Sequence, residues 1–241
     1  MCRHLAYVGV PMALGEPLFH APHSLARQAE HPRLQVGGDT NPDGWGVAWY
    51  SRARERPDRY RTITPVWDDA AFAARAATIR SPAFLAAARL ASPGATIVDS
   101  GNAPFVSGRW SFSLNGIVDG FGAGVDAVLR ARLDAARVAA IVSDADTEVL
   151  FALVLQRLEA GEDPVRALAA VIGSVTALTT GRLNLLLTDG HDLYGTRYGN
   201  SLFRRGTALA SEPTDDDPAW EEIGDECLIT IRADRASITP L

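Results

Sequence analysis

The residue best suited to covalent chemistry is Cys2, which directly follows the initiating Met1. Aminopeptidases remove an initiating methionine when the second residue is small, so we expect Cys2 to carry a free α-amine. A free α-amine has a pKa of about 7.7–8.0 and a cysteine thiol one of about 8.5, so that base and nucleophile would belong to one residue. This pairing indicates acyl transfer by an N-terminal nucleophile. The alternative is that Cys2 is an incidental residue of a frayed terminus.

An attack on a carbonyl creates an oxyanion, and the dipeptide Asn115-Gly116 could stabilise it. A side-chain amide and an adjacent backbone N–H can together hold the negative oxygen of a tetrahedral intermediate. The alternative is a type I′ hairpin turn, for which Asn-Gly is the strongest short signal. Taken locally, the turn is the favoured interpretation.

Two charged residues could hold the ends of an amino-acid substrate. Arg89 interrupts the apolar run 84–91, where a guanidinium could pair with a substrate carboxylate or could point to water from a strand edge. Asp146 lies in the first turn of the longest predicted helix and could hold a substrate ammonium. Alternatively, Asp146 offsets the helix dipole and forms a capping box with Ser143.

The elements that must position these residues change from strands to helices and back to strands. Strand patterns occupy the first residues, 44–50, 59–67, 84–91, 95–100 and 109–120, and several short segments after residue 181. Helical spacing covers 68–79, 124–133, 144–160 and 164–178. This order predicts an α+β fold with mainly antiparallel sheets.

The composition argues against several other classes of protein. A formal net charge of −6 does not favour a large nucleic-acid-binding surface. No apolar run approaches the ~18–20 residues of a membrane span and no signal-peptide pattern is present, so we expect a cytoplasmic protein with no membrane partner. The five histidines and two cysteines lack metal-ligand spacing, and no metal or cofactor is expected. All 23 basic residues are arginine, which excludes a lysine Schiff base.

Six segments, taken in chain order, resemble the class II glutamine amidotransferases, a branch of the N-terminal nucleophile hydrolases. They are MCRH at the N-terminus, NPDGWG from Asn41, AARLAS around Arg89, NAPF from Asn102, LNG ending at Gly116, and DTEVL from Asp146. The resemblance implies a four-layer α-β-β-α sandwich of two mainly antiparallel sheets. It also implies a single domain over residues 2–241, with Met1 removed.

The resemblance further implies a role for each candidate residue. The N-terminal cysteine would be the nucleophile and its α-amine the base, while Asn115 and Gly116 would stabilise the oxyanion. Arg89, with possible help from Ser92, would bind the α-carboxylate of a small γ-glutamyl substrate, and Asp146 would bind its α-ammonium. The implied reaction cleaves a γ-glutamyl amide through a thioester and releases glutamate without a cofactor.

The chain departs from the family pattern at three positions, each of which lacks a histidine. Ala87 stands two residues before Arg89, Ala103 lies within NAPF, and Leu114 precedes Asn115. The mechanism above requires no imidazole. His4, next to the candidate nucleophile, is interpreted as a strand side chain rather than as a base.

Within the family, MCRHLAYVG, GRLNLLL and ASEPTDDDPAWEEIGDECL are most similar to the branch that acts in ergothioneine biosynthesis, on a γ-glutamyl conjugate with a trimethylammonium group. Aromatic faces and acids bind such a group. We therefore expect the segment 210–217, which lies just before Trp220, to border the substrate pocket, although most of the five tryptophans should be core residues. The alternatives are a subunit that supplies ammonia from glutamine to a separate synthetase, and a non-catalytic scaffold that keeps Met1.

Overall fold

The computed structural model describes residues 2–92, 94–232 and 235–241, and its strands form two antiparallel sheets. The strands are β1 (Cys2–Ala13), β2 (Trp45–Ser51), β3 (Arg54–Thr62), β4 (Arg80–Arg89), β5 (Phe105–Ser107), β6 (Trp110–Val118), β7 (Gly181–Thr188), β8 (Leu193–Arg197), β9 (Phe203–Arg205), β10 (Ala208–Ala210), β11 (Glu221–Glu222), β12 (Cys227–Arg232) and β13 (Arg235–Pro240). The first sheet has the order β11-β9-β10-β1-β4-β2-β3, and the second has the order β13-β12-β8-β7-β6-β5.

The helices are α1 (Leu25–Glu30), α2 (Ala70–Ala76), α3 (Val125–Arg130), α4 (Ala135–Ala140), α5 (Asp146–Glu159) and α6 (Pro164–Thr176). Helices α1 and α2 lie among the strands of the first sheet in sequence, and α3 to α6 lie between β6 and β7 of the second sheet. In the part of the chain that the structure describes, no helix is both long and apolar enough to cross a membrane.

Three apolar clusters hold the layers together, one at each interface. Helices α1 and α2 pack on the first sheet through Leu25, Phe72, Trp45 and Phe84. The sheets meet through Ala6, Leu85, Leu186 and Ile229. Helices α5 and α6 pack on the second sheet through Leu150, Leu168, Phe112 and Leu185. Each fully buried leucine, isoleucine or phenylalanine side chain contributes about 1.5–3 kcal/mol to the free energy of unfolding. The predicted α+β fold, a four-layer α-β-β-α sandwich, is confirmed.

Several local predictions were wrong, for identifiable reasons. Residues 95–98 form a loop and 99–101 a short 3-10 turn rather than a strand, because Thr96 N and O bond to the side chains of Asp144 and Arg89 instead of to a neighbouring strand. Strand β3 begins at Arg54 rather than at residue 59, since a polar edge strand resembles a loop in sequence. Helices α1 and α4 were not predicted, and each is only six residues long.

Candidate active site

Strand register places Cys2 beside Arg89. Strand β1 lies between β10 and β4, and Cys2 pairs directly with Arg89, as His4 does with Ala87. Paired residues of an antiparallel ladder point to the same face of a sheet. The face that carries Cys2, His4 and Ala6 is the one turned toward the second sheet, so the thiol and the guanidinium both point to that side.

A cavity of about 530 Å³ opens where these two residues end their strands. Five of the six candidate site residues line it: Cys2, Arg89, Ser92, Gly116 and Asp146. They come from β1, β4, the loop that follows β4, β6 and the start of α5. Residues separated by up to 144 positions in sequence therefore share one concave surface, as a small-molecule site requires.

Asn115, the sixth candidate, lies fully buried next to the nitrogen of Cys2. Its Oδ1 accepts a hydrogen bond from Cys2 N at 3.3 Å, and its Nδ2 donates one to Ser211 Oγ at 3.1 Å. The hairpin-turn interpretation is wrong, because Asn115 pairs with Asn184 inside β6 and β7. In this arrangement Asn115 fixes the Cys2 nitrogen. The amide has two N–H donors, and the bond to Ser211 occupies one of them.

Gly116 permits an unusually close approach between two strands. It pairs with Leu183, and a Cβ added to it would lie 1.7 Å from the carbonyl oxygen of Arg182. Real Cβ atoms do not approach backbone oxygens so closely, so any side chain at this position would push β6 away from β7. Glycine also leaves the backbone beside Asn115 open to the cavity.

Arg89 presents a buried guanidinium to the cavity. It is only 8% exposed, so the interpretation as a water-facing arginine is wrong. Its Nη1 donates a hydrogen bond to Thr96 O at 3.2 Å and packs against Gly101, where a Cβ would lie 2.9 Å away. Among the described residues Arg89 forms no ion pair. A buried guanidinium without a carboxylate partner is suited to binding a substrate carboxylate.

Asp146 is the first residue of α5 and joins that helix to the end of β6. Its Oδ2 accepts a hydrogen bond from Val118 N at 3.1 Å, and its Oδ1 accepts one from Thr147 N at 2.7 Å. Burial raises the pKa of Asp146, and a substrate ammonium beside it would lower that pKa again. The predicted capping box is wrong, because Ser143 Oγ donates to Glu148 Oε2 at 2.6 Å instead.

The three positions that lack the family histidines all lie in the wall of the same cavity. Ala87, Ala103 and Leu114 all line it, whereas Ser92 lies exposed at its rim. Small or apolar side chains at all three positions make this wall wider and less polar than imidazoles would. The departures from the family pattern therefore alter the shape of the pocket and leave the candidate catalytic residues in place.

A buried ion pair supports the start of β1 from the opposite face. Arg3 and Glu212 are 1% and 0% exposed, and Arg3 Nη1 lies 3.0 Å from Glu212 Oε1. Glu212 also accepts hydrogen bonds from Arg33 N and Leu34 N, both at 3.1 Å. Because carboxylate and guanidinium are both satisfied, this pair holds the residue next to Cys2 in a single position.

His4 belongs to the structure beneath the site. Burial, and then the positive charge of Arg3, lower the pKa of His4 to about 3, so its imidazole stays neutral. Its Nδ1 lies 3.0 Å from Ser113 Oγ, and His4 does not line the cavity. Its place in the sheet is that of a strand side chain.

Sequence analysis gave no role to three polar side chains that surround Asn115, although one of them, Ser211, lies in the segment 210–217. Asn200 Nδ2 donates to Asn115 O at 2.9 Å, and Asn184 Oδ1 accepts from Asn200 N at 3.2 Å. Ser211 Oγ accepts from both Asn115 Nδ2 and His4 N. The one available signal was Asn184, which interrupts the apolar run RLNLLL, because a buried amide needs partners.

The expectation that segment 210–217 borders the pocket was wrong. No residue of this segment lines the cavity that contains Cys2. Asp215 accepts hydrogen bonds from Arg205 Nη1 at 2.6 Å and from Trp220 Nε1 at 3.0 Å. Arg205 also lies 4.8 Å from the centroid of the Trp220 ring. The acid and the indole are therefore occupied by an arginine of the same chain.

The family model for class II glutamine amidotransferases matches residues 31–205. A relative from Mycolicibacterium smegmatis, named gamma-glutamyl-hercynylcysteine sulfoxide hydrolase, is 36% identical over the whole of both chains. A solved glutamine aminotransferase class-II domain protein from Silicibacter pomeroyi has a TM-score of 0.71 at 28% identity, over 99% of each chain. A glutamine phosphoribosylpyrophosphate amidotransferase from B. subtilis has a TM-score of 0.67 at 12% identity, over the whole of this chain and 49% of that one, and shows the shared fold. The chain belongs to the class II glutamine amidotransferase family.

Proposed function

We propose that this protein hydrolyses γ-glutamyl amides through Cys2, with Met1 removed, and that its substrate is γ-glutamyl-hercynylcysteine sulfoxide of ergothioneine biosynthesis. The observation that carries the proposal is the convergence of Cys2, Arg89 and Asp146 on one cavity. These residues offer a nucleophile, a cation for an α-carboxylate and an anion for an α-ammonium, which are the groups that a γ-glutamyl substrate requires. The name of the full-length relative supports the choice of substrate. Met1 itself lies outside the described residues.

The acylation step forms one bond and breaks one. The Cys2 thiolate attacks the γ-carbonyl carbon, and the negative oxygen is held by Asn115 and Gly116. Collapse of this intermediate breaks the C–N bond, and the leaving amine takes a proton from the Cys2 α-ammonium. The hydrogen bond from Cys2 N to Asn115 Oδ1, at 3.3 Å, supports this role by keeping the nitrogen in place.

Water completes the reaction by cleaving the thioester. The now neutral α-amine accepts a proton from the attacking water, and the same oxyanion donors act a second time. Collapse of the second intermediate releases glutamate and returns the Cys2 thiol. No cofactor takes part in either step. A free thiol nucleophile works best in a reducing compartment, which supports action in the cytoplasm. The proposed enzyme comprises residues 2–241 as one domain.

The open side of the cavity offers groups suited to a cationic leaving group. Phe121 and Asp144 both line it, and Asp144 accepts a hydrogen bond from Thr96 N at 2.9 Å. Trimethylammonium groups bind to aromatic faces with a carboxylate nearby. These two residues, rather than the tryptophans of the chain, are our candidates for recognition of the hercynyl part.

Competition between two substrates tests the proposed function. We expect the protein to cleave γ-glutamyl-hercynylcysteine sulfoxide at least about tenfold better than glutamine, a margin of about 1.4 kcal/mol. Both substrates are supplied in one reaction, and the released amine product and ammonia are quantified. Cys2→Ala protein gives the background. A preference for glutamine would instead identify an ammonia-supplying subunit.

Arg89→Ala is expected to lower kcat/KM for γ-glutamyl substrates by about 10- to 100-fold, the range for one charge-assisted contact. The loss should disappear for an analogue without the α-carboxylate, because that group is the proposed partner of Arg89. Arg52→Ala, at an exposed position, is the control and should leave kcat/KM unchanged for both substrates. If Arg89→Ala still discriminates fully between the two substrates, the assignment is wrong.

A further inference from the structure

A second cavity, which we call the seam cavity, lies where the edges of the two sheets meet. Edge strand β3 of the first sheet and edge strand β5 of the second contribute to its lining, and α4 and α5 supply the rest together with the loop between them. Its volume is about 270 Å³, and it shares no lining residue with the cavity that contains Cys2. The proposed hydrolysis uses none of its residues.

The seam cavity contains an excess of positive charge. Arg59 and Arg61 are two positions apart on β3 and so project from one face, and Arg137 joins them from α4. Arg137 is paired with Glu159. Within the residues that the structure describes, neither Arg59 nor Arg61 has a carboxylate oxygen within 4.0 Å.

The one acid in the lining is Glu148, whose charge partly offsets those of Arg59 and Arg61 without forming an ion pair with either. Glu148 accepts hydrogen bonds from Ser143 N at 2.7 Å and from Ser143 Oγ at 2.6 Å, which hold it to the turn before α5. Partial burial, and then the charge of Arg59, lower the pKa of Arg61 to about 10 against the opposing charges of Glu148 and Asp99. Two guanidiniums that repel each other at the edge of a cavity are stabilised when an anion lies between them.

The remaining walls are apolar. Phe105 from β5, Phe151 from α5 and Ile141 from the loop after α4 face the cavity. Arg61 is half-buried and Arg59 is exposed, so the guanidiniums remain accessible from solvent. The cavity is smaller than the ~300–1,000 Å³ typical of sites for drug-sized ligands.

We propose that the seam cavity is a second ligand site, and that it binds a small carboxylate with an apolar body. The carboxylate would lie between Arg59 and Arg61, whose forked N–H groups match its geometry, and the apolar body would contact Phe105 and Phe151. This site is independent of the proposed hydrolysis. Its ligand would not be a γ-glutamyl substrate, because the lining offers no free carboxylate for an α-ammonium.

Calorimetric titration of the full chain with benzoate tests the proposal. We expect saturable binding at one site, weakened at least tenfold by Arg59→Gln. Arg59 is the variant of choice because its exposed side chain has no hydrogen bond within the described residues, whereas Arg61 also supports the loop at Ser100. Arg52→Gln, in the exposed turn between β2 and β3, is the matched control and should bind as the wild type does. Absence of binding, or equal binding by Arg59→Gln, would overturn the proposal.

Two further ligands test the chemical class. Benzamide has the same shape without the charge, and inorganic phosphate has the charge without the apolar body. Both should bind at least tenfold more weakly than benzoate. Equal binding of benzamide would overturn the anion site, and equal or tighter binding of phosphate would overturn the need for an apolar body.

One variant in each cavity tests where benzoate binds. Arg89→Gln should leave the affinity for benzoate unchanged, since Arg89 lies in the cavity that contains Cys2. Ala140→Trp, at an exposed position of the seam cavity lining, should block binding without removing a charge. Loss of binding in Arg89→Gln with retention in Ala140→Trp would assign benzoate to the catalytic cavity and overturn the proposal.

Discussion

Replacement of Cys2 by alanine is expected to abolish turnover, with a loss in kcat of at least about 10⁴-fold, because no other group could form the thioester. Cys2→Ser should retain only a trace of activity, since a hydroxyl is much harder to ionise than a thiol. Release of glutamate from a γ-glutamyl substrate measures both effects. The Cys2 side chain is only partly buried, so thermal unfolding of both variants should resemble that of the wild type.

The second cysteine provides the matched control. Cys227 is also partly buried and free, but it lies in β12, away from the cavity that contains Cys2, and its Sγ donates to Asp225 O at 3.4 Å. Cys227→Ser should therefore keep full activity. Wild-type kcat in Cys2→Ala, or a loss in Cys227→Ser as large as that in Cys2→Ala, would place the nucleophile elsewhere.

Blocking the nitrogen of Cys2 should have an effect as large as removing its thiol. If Met1 or any other residue stays attached, the nitrogen belongs to an amide and cannot act as a base. A free α-amine, with a pKa of about 7.7–8.0, can accept and return the proton near neutral pH. We therefore expect protein with an acylated Cys2 nitrogen to be inactive.

A removable N-terminal extension allows this expectation to be measured on one preparation. Activity is assayed before and after specific proteolysis that leaves Cys2 first, and intact mass establishes which form is present. Proteolysis should restore activity, and the same treatment of Cys2→Ala should restore none. Full turnover by protein whose intact mass still includes Met1 would exclude the α-amine as the base.

The buried structure around Asn115 explains why this base would be well placed. Asn115 Oδ1 lies 3.3 Å from Cys2 N, and Nδ2 of the same side chain donates a hydrogen bond to Ser211 Oγ. On the other face of β1, the ion pair of Arg3 with Glu212 prevents the strand from shifting. A nucleophile at a chain terminus would otherwise be mobile, and these contacts supply the positioning that catalysis needs.

Local chemistry in the sequence singled out most candidate residues and predicted the fold class, while the family resemblance supplied their roles. A cysteine after the initiating methionine, an Asn-Gly pair, and an arginine within an apolar strand are each readable from residue type alone. The change from strands to helices and back predicted an α+β fold with mainly antiparallel sheets, because hydrophobic periodicity follows the burial of each element. The order of the family-like segments then connected these residues to one reaction.

Where local signals had two meanings, only the tertiary structure could decide between them. Asn115-Gly116 is a turn signal in isolation, yet it lies inside β6 because pairing with β7 outweighs local turn propensity. Residues 95–100 have strand propensity, yet they form a loop and the start of a 3-10 turn because Thr96 contacts Arg89 and Asp144 instead of another strand.

The sequence alone determined which side chains could react and which segments would form strands or helices, because residue chemistry and periodicity are local properties. The tertiary structure decided which of these residues share a cavity. Segment 210–217 was expected at the pocket, but Arg205 pairs with Asp215 and covers Trp220. Strand register, by contrast, places Arg89 beside Cys2. Such contacts join residues far apart in the chain, and their partners depend on sheet order and register, which no single segment encodes.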